Sequence, residues 1–314
     1  MNSARDTVVG AEGLTKRFAE LTAVDGLSFT VKRGEIFGLV GPDGAGKTTT
    51  MRMLAGVMQP DAGGIVIDGV DMVADPEAGK QHLSYMPQRF GLYEDLTVEE
   101  NIRFYADLFE VAREVREQRA ERLLAASGMS QFRKRRAGQL SGGMKQKLGL
   151  TCALVHTPEI LLLDEPTTGV DPVSRRDFWR ILYGLREGGV TIVITTAYLD
   201  EAERCNRLAL LHNGRVLYCD TPAALKQRMP GAVVAITSDR GREVRTTIAE
   251  LEGVSNVILV GDGVHAVVDD AALRIPELRT ALQRGSVAFA DIAVTAPSIE
   301  DVFVALLEDQ EQGR

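Results

Sequence analysis

Apolar positions along this chain fall into short runs separated by turn residues, and their spacing changes along its length. Up to about residue 88, runs such as Leu27-Ser28-Phe29-Thr30-Val31 and Gly64-Ile65-Val66-Ile67-Asp68 alternate with turn signals around one helical stretch, a pattern of short strands. This segment reads as half of an α/β core. From about 97 to 127 the spacing becomes helical and rich in Glu and Arg. It opens on Thr97-Val98-Glu99-Glu100, which matches a reciprocal cap in which hydroxyl and carboxylate each satisfy a free backbone N–H. Strand-like runs return at 160–163, 190–195 and 208–211. They suit a largely parallel sheet with helices between its strands. The helical segment, about 89–157, is thus an insertion into an α/β domain.

A short helical stretch after Thr221-Pro222 runs to Met229, and Pro230-Gly231 marks a boundary. The expected division is therefore 1–229 and 230–314. In the second part, strands at 232–237, 254–260, 264–268 and 287–294 alternate with helices in a ferredoxin-like order, strand, helix, strand, strand, helix, strand. A small α+β domain follows from that order. In the last helix Ser298-Ile299-Glu300-Asp301 supplies the cap, and Ile299, Val302, Phe303, Leu306 and Leu307 form an apolar stripe read as core.

At 314 residues and 45% hydrophobic content the chain can bury one large core and one smaller one. The net charge of −8 excludes a general nucleic-acid binder, which needs a basic face to displace phosphate counterions. The basic run Arg133-Lys134-Arg135-Arg136 reads as a solvated loop. Cys152, Cys205 and Cys219 have neither metal-ligand spacing nor a disulfide framework, so reduced thiols in a cytosolic compartment are expected. The opening residues lack the charged-then-apolar pattern of a leader, so none is expected. The longest apolar runs fall far short of the roughly 20 residues of a membrane-spanning helix, so membrane association is expected through a partner.

The chemistry begins at 41–48, Gly-Pro-Asp-Gly-Ala-Gly-Lys-Thr, between the apolar run Ile36-Phe37-Gly38-Leu39-Val40 and the start of a helix. This is a phosphate-binding loop. Gly41, Gly44 and Gly46 let the backbone close around phosphate oxygens, with Ala45 and Thr49 in the same cradle. Lys47 would reach the β- and γ-phosphates. Thr48 would offer its hydroxyl to Mg²⁺, and a carboxylate from a second strand must then approach the same ion. Ile160-Leu161-Leu162-Leu163-Asp164-Glu165 supplies it: a buried strand whose Asp164 can hold Mg²⁺ and whose Glu165 can polarise water.

That strand is preceded by Leu140-Ser141-Gly142-Gly143-Met144-Lys145-Gln146 and followed by Pro166-Thr167-Thr168-Gly169-Val170-Asp171. The ordered set resembles the ATP-binding cassette (ABC) ATPases over roughly residues 7–222. The resemblance implies a P-loop NTPase core in which Ser141, Gly142 and Gly143, at a helix N-terminus, meet the γ-phosphate of ATP held by an opposing subunit. It implies that Gln88, in Tyr85-Met86-Pro87-Gln88, senses Mg²⁺ and the attacking water, that Phe18 stacks on adenine, and that Asp171 lies at the dimer interface. The ending Pro297-Ser298-Ile299-Glu300-Asp301-Val302-Phe303 is similar to the extension on ATPases of drug and antibiotic exporters.

Three positions depart from that pattern. Asp43 stands where such loops often carry asparagine, and Met144 where the signature often has glutamine. Ala197, in Ile194-Thr195-Thr196-Ala197-Tyr198, takes the place of the family's switch histidine and has no donor to offer the γ-phosphate. The expectation is a cytoplasmic, membrane-peripheral ATPase subunit of an exporter, using ATP and Mg²⁺. It would work with integral membrane permease subunits and a second cassette, as a homodimer or an asymmetric pair, with slow turnover in its own site. Two alternatives are a largely non-hydrolysing regulatory cassette and a soluble cassette ATPase outside transport. The first is disfavoured by Glu165; the second by the acidic balance and the single cassette.

Overall fold

Two twelve-residue strands, β1 (Thr7–Phe18) and β2 (Leu21–Lys32), form a hairpin that closes where Phe18 pairs with Leu21. Buried and exposed positions alternate along the second half of β2, the mark of an antiparallel strand with one wet face. By contrast β3 (Ile36–Val40) and β7 (Ile160–Asp164) are buried at every position, as strands covered on both faces must be. The computed structural model describes residues 6–312. It divides into one unit running to Cys219 and a second beginning at Asp220.

The first unit holds two sheets. One is antiparallel, in the order β2-β1-β4-β5, with β4 (Ala62–Ile67) and β5 (Val70–Asp71). The other has six strands in the order β10-β9-β3-β8-β7-β6, adding β6 (Leu83–Met86), β8 (Thr191–Thr196), β9 (Arg207–His212) and β10 (Arg215–Asp220). From β9 through β6 neighbouring strands are parallel. Of the strand runs read as half of the α/β core, 27–31 and 64–68 fall outside the parallel sheet: β1, β2, β4 and β5 make a separate antiparallel layer. Only β3 and β6 of that segment join the parallel sheet.

The helices of this unit are α1 (Lys47–Leu54), α2 (Pro76–Lys80), α3 (Val98–Leu108), α4 (Arg113–Ala126), α5 (Gly142–Leu154), α6 (Pro172–Glu187) and α7 (Leu199–Ala202). The insertion comprises α3, α4 and α5 around their own apolar core of Val98, Ile102, Leu124 and Leu148. Its expected cap is present: Thr97 accepts from the Glu100 N–H, and the Glu100 carboxylate accepts from the Thr97 N–H. In the basic run, Arg133 pairs with Glu99 and Glu117 at 2.9 Å each, which ties that loop to α3 and α4.

The second unit contains α8 (Pro222–Lys226), β11 (Ala232–Thr237), α9 (Gly241–Ile248), β12 (Val254–Val260), β13 (Gly263–Val268), α10 (Ala271–Arg284), β14 (Asp291–Thr295) and α11 (Ile299–Gln312). Its antiparallel sheet runs β12-β13-β11-β14, the ferredoxin-like order. The fourth strand is shorter than the 287–294 expected. Val287 instead anchors the turn after α10, buried in the core with Leu278 and Leu282. In α11, Ile299, Val302, Phe303 and Leu306 of the expected stripe are buried, and Leu307 is half-buried. The unit begins ten residues before Pro230 because α8 packs on α11.

Candidate functional site

Adjacent parallel strands β3, β8, β7 and β6 bring their C-terminal ends together, the edge of an open α/β sheet at which ligands bind. From β3 the chain turns through a glycine loop into α1. Two of its glycines are required by close approach: a Cβ on Gly41 would lie 2.3 Å from the Leu211 carbonyl oxygen, and one on Gly46, at φ 96, would lie 2.5 Å from that of Ala23. No side chain caps the start of α1. Its free N–H groups and helix dipole therefore favour an anion.

Lys47 is buried and donates to the carbonyls of Gly41 and Pro42 at 2.9 and 3.0 Å. Its ammonium also lies 3.1 Å from Glu165 Oε1. Glu165 Oε2 accepts from Gln88 Nε2 at 3.0 Å and from the Thr168 hydroxyl at 3.3 Å. The backbone of Glu165 is left-handed, at φ 47. Strain of this kind costs on the order of 1–3 kcal/mol in a non-glycine residue and is held only where the surroundings enforce it.

Asp164 is almost fully buried, and three hydroxyls reach its carboxylate. Thr48 donates to Oδ1 at 3.1 Å, Thr195 to the same oxygen at 2.8 Å, and Tyr85 to Oδ2 at 3.3 Å. Thr195 also accepts the Glu165 N–H at 2.8 Å, so one hydroxyl fixes both carboxylate residues. Burial, and then the Asp164 charge, push the Tyr85 hydroxyl up from its ordinary value, which keeps it a donor. The Thr48 hydroxyl, the Asp164 carboxylate and the Gln88 side-chain carbonyl are hard oxygen donors, the set that suits Mg²⁺ held partly through water.

These groups border a cavity of about 820 Å³ whose lining includes Phe18, Lys47, Thr48, Gln88 and Glu165. Gly44, Gly46 and Thr49 line it too, with Asp43, while Gly41 and Ala45 are buried. Phe18 is 44% exposed, too open for a core aromatic. Arg52 and Asn213 also line the cavity and were not foreseen, since neither belongs to a motif. Tyr85 and Thr195 lay inside quoted motifs, yet only the strand pairing reveals that they meet Asp164.

Ser141, Gly142, Gly143 and Asp171 lie outside this cavity. Ser141 caps α5 by accepting the Met144 N–H at 3.4 Å, and both Ser141 and Gly142 are exposed. Gly143 packs against α6 so tightly that a Cβ would sit 2.5 Å from that of Ser174. Asp171 caps α6, accepting the N–H groups of Val173 and Ser174 at 3.1 and 2.9 Å. Bonds from Ser174 hold its carboxyl below the usual range. Ala197 is exposed immediately after β8.

None of the four histidines enters the cavity lining. His82 lies beside Asp68 and Glu159 in a grouping with metal-ligand reach, but Arg33 pairs with both carboxylates at 2.6 and 2.7 Å, so a cation of the chain's own already bridges them. His156 stacks on Phe109 with ring centroids 3.9 Å apart, and His265 bonds Asp301 at 3.0 Å.

Residues 24–168 match the ABC transporter family. The chain is 44% identical over 306 residues to YbhF of Escherichia coli, named a probable multidrug ABC transporter ATP-binding protein; the match covers 96% of this chain and 52% of YbhF, so the chain spans about half the length of that relative. It is 34% identical to the daunorubicin resistance ATP-binding protein DrrA2 of Streptomyces coeruleorubidus, covering 95% of this chain and 94% of that one. A solved dimeric structure of a bacterial ABC transporter cassette superposes with a TM-score of 0.63 at 26% identity, covering 68% of this chain and 98% of the cassette.

Proposed function

This chain belongs to the family of ABC transporter ATP-binding subunits of the drug-exporter type, and from that membership we propose that it binds and hydrolyses MgATP to drive export through separate membrane permease subunits. The carrying observation is the convergence of Phe18, Lys47, Thr48, Gln88 and Glu165 on one cavity. Phe18 stacks on adenine. Gly41, Gly44, Ala45, Gly46 and Thr49 shape the phosphate cradle, and Lys47 takes the β- and γ-phosphates. Thr48, Asp164 and Gln88 hold Mg²⁺, which supplies neutralisation of phosphate charge. Glu165 orients the attacking water and accepts its proton, with Gln88 hydrogen-bonded to it at 3.0 Å. Titration calorimetry tests this: ATP with Mg²⁺ should bind in the micromolar to sub-millimolar range typical of enzyme substrates, and no binding heat up to millimolar ATP overturns it.

Ser141, Gly142 and Gly143 sit at an exposed helix start away from their own cavity. In the proposed assembly they close the site of a second cassette, with Asp171 at the same interface. Relatedness to a cassette solved as a dimer supports this. Among the described residues no helix is long and apolar enough to cross a membrane; the proposal assigns the transport path to partner subunits and this chain to the cytoplasmic face, a reading supported by its relatedness to transporter ATP-binding proteins. Around α3, Tyr93, Phe104, Leu108 and Phe109 are exposed, with the Tyr93 and Phe104 rings 4.5 Å apart. That apolar patch, on the insertion entered through Gln88, is the proposed seat for the permease.

Turnover in this site is slowed by Ala197, which withholds a donor from the γ-phosphate. A hydrogen bond to a charged group is worth about 1.5–3 kcal/mol, so Ala197→His is expected to raise kcat roughly ten- to a hundredfold. An unchanged rate removes the slow-site argument. Tyr85→Phe tests the support of Asp164: the Mg²⁺ concentration for half-maximal turnover should rise about tenfold, as for other outer-shell partners of metal ligands. Unaltered Mg²⁺ dependence would show that the phenol does not orient Asp164.

A further inference from the structure

The segment bearing Ala197 is tied to the loop after Glu165 by a carboxylate that the proposed chemistry does not use. Glu201, in the short helix α7, is completely buried. Its Oε2 accepts two hydroxyls, from Thr167 at 3.0 Å and from Thr196 at 2.9 Å. Both threonines are themselves almost wholly buried. Its other oxygen has no hydrogen-bond partner and faces Arg175, whose Nε lies 3.7 Å away. Arg175 stands in the first turn of α6, where its N–H bonds the Asp171 carbonyl at 2.9 Å, and its guanidinium lies 4.2 Å over the Tyr198 ring. Thr196 in turn accepts the Tyr198 N–H at 3.0 Å.

One side chain thus touches three segments. Thr167 belongs to the loop leading from Glu165 to Asp171. Thr196 is the last residue of β8, next to Ala197, and Arg175 fixes the turn that Asp171 caps. A buried carboxylate is retained only against donors and a cation that offset its desolvation, and here every such group lies on a segment bordering the reaction site or the proposed interface. Alanine at 197 offers no side-chain donor to the γ-phosphate. Internal bonds alone then set its geometry.

We propose that Glu201 is a positioning residue for ATP turnover, clamping the loop between Glu165 and Asp171 to the turn that carries Ala197. The inference rests on the reading of the cavity as an ATPase site. The clamp acts on the geometry of the reacting end and leaves the adenine and phosphate cradle alone. Its loss should therefore appear in kcat, with little change in binding.

The test uses the full chain at saturating Mg²⁺, comparing the parent protein with Glu201→Leu, Glu201→Gln and Thr196→Val. Glu201→Leu keeps the volume but leaves two buried hydroxyls without an acceptor, and kcat should fall roughly ten- to thirtyfold with KM within about twofold. Glu201→Gln retains an oxygen that can accept both hydroxyls and should recover most of kcat. Thr196→Val, conservative in shape, removes one tether and should lower kcat about threefold, which keeps the test decisive should the leucine variant fold poorly. Calorimetry with ATP and Mg²⁺ should give the same Kd for all four proteins. The proposal is overturned if kcat of Glu201→Leu and Thr196→Val stays at the parent value, or if Kd, KM and thermal stability degrade together with kcat and glutamine restores nothing, the signature of a purely structural role. A parent protein that binds no MgATP overturns the ATPase reading itself, a separable result.

Discussion

Replacing Lys47 with alanine is expected to lower ATP turnover by on the order of a thousandfold and to weaken MgATP binding measurably by calorimetry. The ammonium is almost fully buried and sits between two loop carbonyls and the Glu165 carboxylate. In so dry a setting a cation aimed at phosphate oxygens acts with little screening. Alanine also strips Glu165 of its only ion-pair partner among the described residues, so the defect combines lost phosphate contact with a misplaced catalytic carboxylate. Turnover within tenfold of the parent would mean that phosphate is held elsewhere.

Glu165→Gln should separate the two roles of the cavity. The amide matches the carboxylate in volume, and its oxygen can accept the bonds now made by Gln88 and Thr168, but it has no charge to draw a proton from water. Hydrolysis should drop by roughly a hundred- to ten-thousandfold, the usual worth of a general base, while MgATP affinity is kept or rises. Single-turnover kinetics beside a binding titration measures both. Loss of binding with hydrolysis would assign Glu165 to nucleotide retention; unchanged hydrolysis would assign the base elsewhere.

Much of this site was legible because its chemistry is confined to contiguous motifs. The glycine loop, Asp164-Glu165 and Gln88 could be found from residue type and order, and the fold gathers them because each follows the C-terminal end of a neighbouring parallel strand. What escaped was lateral. Thr195 and Tyr85 matter through the pairing of β8 and β6 with β7, and a threonine inside an apolar run carries no sign of the carboxylate beside it. The antiparallel layer was missed for a related reason: short strand runs look alike until the wet face of β2 is set against the full burial of β3. In the second unit the apolar period found all four strands but began the last one four residues early, because Val287, a core anchor in a turn, is as apolar as a strand residue.

Ser141 and Asp171 make sense as site residues only if another chain supplies the nucleotide they face. Mixing two separately defective proteins tests that claim most directly. Lys47→Ala disables a chain's own cradle, and Ser141→Arg obstructs its contribution to a neighbour. Each alone should be nearly inactive, yet an equimolar mixture contains pairs with one intact cradle facing one intact signature helix. The account predicts recovery to about a quarter of the parent rate, since half of randomly formed pairs are mixed and each has one of two sites competent. A mixture no more active than its separate components would contradict it.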